Sequence, residues 1–286
     1  MVQPQDFFDL KEFEHKGLFV GVEFVWEALG KLKSYIKARL TPNVPFLTGD
    51  VLLETCVLWG GNLIEEDFEI EPGDATKGNL KVFWEGDELV GASVLYAGAT
   101  LFDSNIYIGE GTVVEPGALI KGPTIIGNNT EVRQGAYIRG DCLIGNRCVV
   151  GHTTEVKTSI MLDGAKAGHF AYIGNSILGN DVNLGAGTKL ANLKIADGEM
   201  KLKVEGRIYK TGLRKLGAIL GDNVETGCNS VISPGTLLGK ASLIYPCINV
   251  PSGFYPRRSI IGIRTKQVLS IRKLRSKANI SAGGEI

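Results

Sequence analysis

Residues 108–162 read IGEGTVVEPGALIKGPTIIGNNTEVRQGAYIRGDCLIGNRCVVGHTTEVKTSIML, and an aliphatic residue returns in them at every sixth position. The ten are Ile108, Val114, Ile120, Ile126, Val132, Ile138, Ile144, Val150, Val156 and Leu162. Four positions after these, small or β-branched residues recur, as at Thr112, Ala118, Thr124, Thr130, Ala136, Cys142, Cys148 and Thr154. A helix would need returns at three and four, and a lone strand would alternate; a strict six fits neither. The pattern predicts a mainly β fold, a parallel β-helix of hexapeptide repeats.

Each hexapeptide makes one short strand and a corner, three make a triangular coil of about eighteen residues, and coils stack about 4.8 Å apart. The aliphatic residue points inward and the small one fills the corner. A single coil buries too little, so several must stack. Past Leu162 the phase shifts by one residue at Ala167, resumes at Ile173, shifts again at Leu178, runs to Leu184 and fails after Lys189. It returns as Leu220, Thr226, Ile232, Leu238, Ile244 and Val250.

The 286 residues include 38 glycines, which suits a chain that turns every few residues, and the net charge is zero. Nucleic acid would call for a basic excess, so it is not the expected partner. The first residues, MVQPQDFFDL, lack a basic and apolar leader, and no apolar run reaches membrane-spanning length. The expectation is a soluble cytoplasmic protein that binds no membrane. Five cysteines without a CxxC pair fit reduced thiols, with Cys142 and Cys148 filling coils.

Three regions follow from this pattern. Residues 1–95 lack the period and are expected to form a small α+β cap or docking region: an amphipathic helix over Phe19–Leu40, then short strands. No glycine-rich phosphate loop occurs there. Residues 96–255 form the β-helix, interrupted by an insertion at 190–218 rich in cations, including Lys194, Lys201, Lys203, Arg207, Lys210, Arg214 and Lys215. That insertion reads either as a solvated hairpin or as a flap carrying cations to a neighbouring subunit's phosphate. Residues 256–286 are basic and predict a short C-terminal helix.

Lys121, Arg139 and Lys157 each follow an inward residue and are spaced eighteen apart, so they stack at one corner. Cations about 5 Å apart repel by about 1 kcal/mol in water. They either splay into solvent or share an anion such as a phosphate. In KAGHFAYIGNSILGNDVNLGAGT, Lys166–Thr188, the two phase shifts frame His169, with Tyr172, Asn175 and Asn183 nearby. This makes His169 the candidate base, whereas His15 and His152 read as structural.

The segment VGHTTEVKTSIMLDGAKAGHFAYIGNSILGNDVNLGAGTKLAN resembles the acetyltransferase domain of the bifunctional uridyltransferase/acetyltransferase GlmU. It is also similar to the carboxyl-terminal domain of archaeal-type sugar-1-phosphate nucleotidyltransferases, whose later stretch resembles RKLGAILGDNVETG. The resemblance implies a left-handed helix in a homotrimer, with active sites between subunits. By position, His169 matches the catalytic base, and Glu155 matches a residue that could orient it. Arg139 and Lys157 match sugar-phosphate contacts, Tyr172 and Asn183 match residues around the sugar, and Ala186, Asn192, Cys228 and Pro246 fall where acetyl-CoA is contacted. Lys121 joins them from its spacing alone.

The implied activity is acetyl-CoA-dependent N-acetylation of an amino-sugar 1-phosphate, either glucosamine 1-phosphate or its galactosamine epimer, with no metal. Alternatives are a nucleotide-linked amino-sugar acceptor, or a trimeric scaffold that binds sugar phosphate beside a separate nucleotidyltransferase. The pattern departs from the family in lacking the pyrophosphorylase domain, so nucleotide transfer is not expected. Leu193 in place of an aromatic, Pro246 in place of a small residue and the longer insertion bear on cofactor affinity and acyl choice.

Overall fold

Inward aliphatic residues wind residues 93–261 into a three-walled prism in this computed structural model, which describes residues 2–44, 49–195 and 198–263. The first wall runs from Ser93–Leu95 to Ile260–Ile261, the second from Thr100–Leu101 to Asn249–Val250, and the third from Ile106–Ile108 to Gly253–Tyr255. Rungs pair in parallel and in register, as Leu101, Ile120, Ile138 and Val156 do along the second wall. These inward side chains are fully buried and form one continuous core. The basic helix expected for 256–286 lies largely outside the described residues.

The first phase shift falls earlier than the sequence suggests. Met161, not Leu162, pairs with Ile144, and Leu162 joins an apolar cluster outside the prism. The shortened corner therefore lies between Val156 and Met161, and the second lies between Ile173 and Leu178. Both are corners from the second wall to the third, where the insertion also leaves the coil between Lys189–Leu190 and Ala218–Leu220. Irregularity is concentrated along one edge.

Residues 51–95 close the start of the prism. Cys56–Trp59 adds antiparallel to Ser93–Leu95 and Asn62–Ile64 antiparallel to Cys56–Trp59, and the small sheet Phe68–Glu71, Lys81–Trp84 and Asp87–Glu88 packs around Val57, Val82, Leu89 and Val94. This arrangement pairs an edge that would otherwise be open.

Residues 2–44, expected in the same cap, instead lie along the outside of the third wall. That wall is apolar on both faces: Ile125, Leu143, Ile160, Ile177, Ile219 and Leu237 point outward and pack with Phe7, Phe8, Phe13, Trp26, Leu32 and Ile36. Leaving six aliphatic side chains in water costs about 1.5–3 kcal/mol apiece, so the wall requires a cover. The strap is pinned at both ends. The Asp9 amide donates to Asp222 Oδ2 at 2.7 Å, and Asn43 exchanges side-chain hydrogen bonds with the Ile108 backbone at 2.7 and 3.0 Å. Its helix spans only Glu27–Arg39, preceded by a single 3-10 turn at Lys16–Phe19. Gly21 at φ 67 breaks the longer helix expected over Phe19–Leu40.

The insertion is a hairpin, Lys201–Val204 with Arg207–Lys210. It buries Met200, Leu202 and Val204, and Tyr209 meets the rings of Phe24 and Trp26 edge-on at 5.4 and 5.8 Å. Its apolar side is thus committed to this chain's own strap, which argues against a free flap; Lys203 and Lys210 face solvent.

Burial sorts the thiols. Cys142 and Cys148 are pushed up to about 12 and Cys56 to about 11, each chiefly by burial, whereas Cys228 and Cys247 are exposed. Iodoacetamide at neutral pH is expected to alkylate Cys228 and Cys247 in the native protein and to reach the other three only after denaturation, as read by peptide mass mapping. Native labelling of Cys142 would contradict this packing.

Candidate active site

His169 ends the strand Lys166–His169 at the corner between the first and second walls, with its side chain exposed. The backbone carries the next positions up this corner. The Gly187 amide donates to the His169 carbonyl, Asn229 to Ala186, and Cys247 to Cys228, which sets His169, Ala186, Cys228 and Pro246 in one ascending column. Asn183 lies on the first wall, three residues before Ala186, in register with Lys166. The resemblance assigns His169 to the base and Ala186, Cys228 and Pro246 to acetyl-CoA contacts, and the stack sets these four in line.

The column continues downward through a residue that the sequence reading set aside. His152 stands in register one rung below His169. Its Nδ1–H donates to the Gln134 carbonyl at 3.0 Å, which leaves Nε2 free of hydrogen in the neutral ring. The signal was available: the two histidines are seventeen residues apart, one coil shortened by the phase shift.

The cation ladder occupies the opposite edge of the second wall. Lys121, Arg139 and Lys157 follow the paired residues Ile120, Ile138 and Val156, and so stack as their spacing predicts. They are not equivalent. Lys121 Nζ lies 4.4 Å from the Phe102 ring centroid and 5.7 Å from that of Tyr137, so it is already engaged by aromatic faces. Arg139 donates to Glu155 Oε1 at 2.7 Å. Glu155 was expected to orient His169, but in this chain it serves Arg139, because its register partner Tyr137 precedes Arg139 by two positions on the same wall.

Beside the ladder, Tyr172, Asn175 and Asn192 surround Gly174. The Asn192 amide donates to Asn175 Oδ1 at 2.7 Å, and burial, then the Glu155 carboxylate, raises the Tyr172 phenol above its ordinary value. A β-carbon at Gly174 would come within 2.6 Å of the Tyr172 hydroxyl and 2.7 Å of the Asn192 amide nitrogen, so this cluster needs a glycine. Asn192, assigned from resemblance to the cofactor group with Ala186 and Cys228, stands at the ladder edge instead.

Within one chain the proposed residues therefore form two groups. From His169 to Gly174 the chain runs five residues, about 17 Å at most. Imidazole and cations face outward from opposite edges of one wall. No group of three or more histidine, cysteine or acidic side chains that could hold a metal occurs among the described residues. No described helix is long and apolar enough to cross a membrane.

A three-walled parallel β-helix built on a period of six defines the class of hexapeptide-repeat proteins, and relatives of this chain are acetyltransferases. Residues 120–213 match the family described as the GMPPB C-terminal domain. The uncharacterized acetyltransferase YaiX of Escherichia coli O6:K15:H31 is 35% identical over 164 residues, which cover 56% of this chain and 71% of that protein. The bifunctional sugar-1-phosphate nucleotidylyltransferase/acetyltransferase of Sulfurisphaera tokodaii is 44% identical over 97 residues, 34% of this chain. The match spans 24% of that longer protein. Among solved structures, the polysialic acid O-acetyltransferase OatWY superposes with a TM-score of 0.27 at 14% identity, covering 63% of this chain and 93% of that one. The chain belongs to the hexapeptide-repeat acetyltransferase family, in common with YaiX.

Proposed function

We propose that this protein transfers the acetyl group of acetyl-CoA to the amine of an amino-sugar 1-phosphate, in a homotrimer whose subunits bring one chain's histidine corner to another chain's cation edge. The observation that carries this reading is the column His169, Ala186, Cys228 and Pro246 on the edge opposite the Arg139–Lys157 ladder. Small, uncharged side chains above the imidazole suit the slender arm of acetyl-CoA, and two cations suit the phosphate. With the third wall covered by the strap and the lower first wall by the segment whose Ala75 amide donates to Glu131, the second wall, the upper first wall from Lys166 to Leu243 and their corner remain open to a partner subunit.

The amine attacks the thioester carbonyl; a C–N bond forms and, as the tetrahedral intermediate collapses, the C–S bond breaks. His169 takes the proton that leaves the amine and returns it to the departing thiolate. Cys228 lines the acetyl-CoA side and forms no covalent intermediate, since no base among the described residues is paired with it.

The test is thiol release from acetyl-CoA with glucosamine 1-phosphate, galactosamine 1-phosphate and a nucleotide-linked amino sugar as acceptors. Turnover of either sugar phosphate supports the reading; turnover of the nucleotide-linked sugar alone moves the acceptor assignment. Arg139→Ala is expected to raise the acceptor KM about tenfold or more, the loss of one charge-assisted contact, and to leave the acetyl-CoA KM unchanged. An unaltered acceptor KM would remove Arg139 from the site.

A further inference from the structure

Phe170 breaks two rules at once. It follows His169 directly and adopts a left-handed backbone at φ 52, and its ring is 55% exposed. The same turn position on other rungs is held by Gly117, Gly135 and Gly187 and by Thr153, Asn229 and Cys247, all at positive φ and none of them aromatic. Among the described residues it is the one aromatic at positive φ. A bulky residue in this region is strained, and an exposed ring gains little from burial, so neither backbone geometry nor core packing accounts for it.

Its neighbours indicate a purpose. The Phe170 ring centroid lies 5.3 Å from that of His152, at 75°, and 6.1 Å from that of His169, at 43°. The ring stands between two imidazoles that are in register on adjacent rungs, and the lower one is anchored by its hydrogen bond to Gln134. An exposed aromatic face beside a proton acceptor matches what recognises a pyranose: the axial C–H face lies on the ring while a substituent reaches the imidazole.

We infer that Phe170 is the stacking surface for the acceptor's sugar ring, which brings its amine to His169, and that His152 is a positioning residue that holds the Phe170 ring edge-on. This rests on His169 being the base of the proposed transfer. The strain at Phe170 is retained because the ring does its work on the substrate.

The experiment compares Phe170→Gly, Phe170→Tyr and His152→Asn in the full chain, reading thermal midpoint, oligomeric state and the KM of each substrate. Glycine relieves the left-handed backbone, so Phe170→Gly is expected to melt at or above the wild-type midpoint while its acceptor KM rises at least tenfold and its acetyl-CoA KM holds. Phe170→Tyr retains a ring and is expected to keep the acceptor KM within threefold; His152→Asn falls between the two. An unchanged acceptor KM in Phe170→Gly, a rise confined to acetyl-CoA, or loss of the assembled oligomer would each overturn the inference, the last making Phe170 a subunit contact. Full turnover in His169→Ala would instead overturn the proposed reaction itself.

Discussion

His169→Ala is expected to lower kcat for acetyl transfer by roughly 10²–10⁴-fold, the range supplied by a positioned general base. The fold has no stake in this imidazole. The side chain is exposed, its ring contact is with Phe170, and the hydrogen bond that fixes the corner runs from the Gly187 amide to the His169 carbonyl, which alanine preserves. Thermal midpoint and elution volume should therefore match the wild type while thiol release falls. The acceptor KM should change little, because a group needed chiefly in the transition state appears in kcat. Added imidazole should restore part of the rate in the vacated corner. Turnover within threefold of wild type would remove His169 from the mechanism.

The period of six made the prism legible from the sequence, because every inward position is fixed by the same geometry on every rung. The ladder spacing of eighteen was equally readable, and Lys121, Arg139 and Lys157 do stack. What the spacing could not convey is which charges are already occupied: Lys121 by two rings, Arg139 by Glu155. Such pairings run between side chains on adjacent rungs, directly opposite as for Lys121 and Phe102 or two residues out of register as for Arg139 and Glu155, and several partners compete at each place. The strap was missed for another reason. Residues 2–44 carry no repeat, yet the wall that they cover announces itself in the doubled aliphatic pairs Ile125–Ile126, Leu143–Ile144, Ile177–Leu178, Ile219–Leu220 and Leu237–Leu238. One residue of each pair fills the coil and the other faces out, so a wall built from such pairs must be covered by something else in the chain.

Trp26→Ala is expected to be the most destabilising single change in that cover, at about 3–5 kcal/mol, as for truncation of a fully buried large aromatic. Trp26 is 1% exposed, stacks on Phe24 at 5.0 Å and 9°, and meets Tyr209 of the inserted hairpin at 5.8 Å. It therefore joins two segments far apart in sequence to the same wall. Removing it should lower the thermal midpoint by roughly 10 °C. Trp84, 41% exposed on the cap, is the contrast: Trp84→Ala should cost about 1 kcal/mol or less. Solenoid coils are held chiefly by their neighbours, so the loss should begin locally. Amide exchange in 200–216 and in the strap should quicken before the coils around Ile138 and Ile173 respond. Because the strap covers the third wall and His169 stands at the corner of the other two, kcat measured well below the midpoint should stay within twofold of wild type. A midpoint shift under 2 °C would mean that the strap and hairpin are not the cover that the doubled aliphatic wall requires; a kcat falling in step with stability would mean that the cover and the catalytic corner are one cooperative unit.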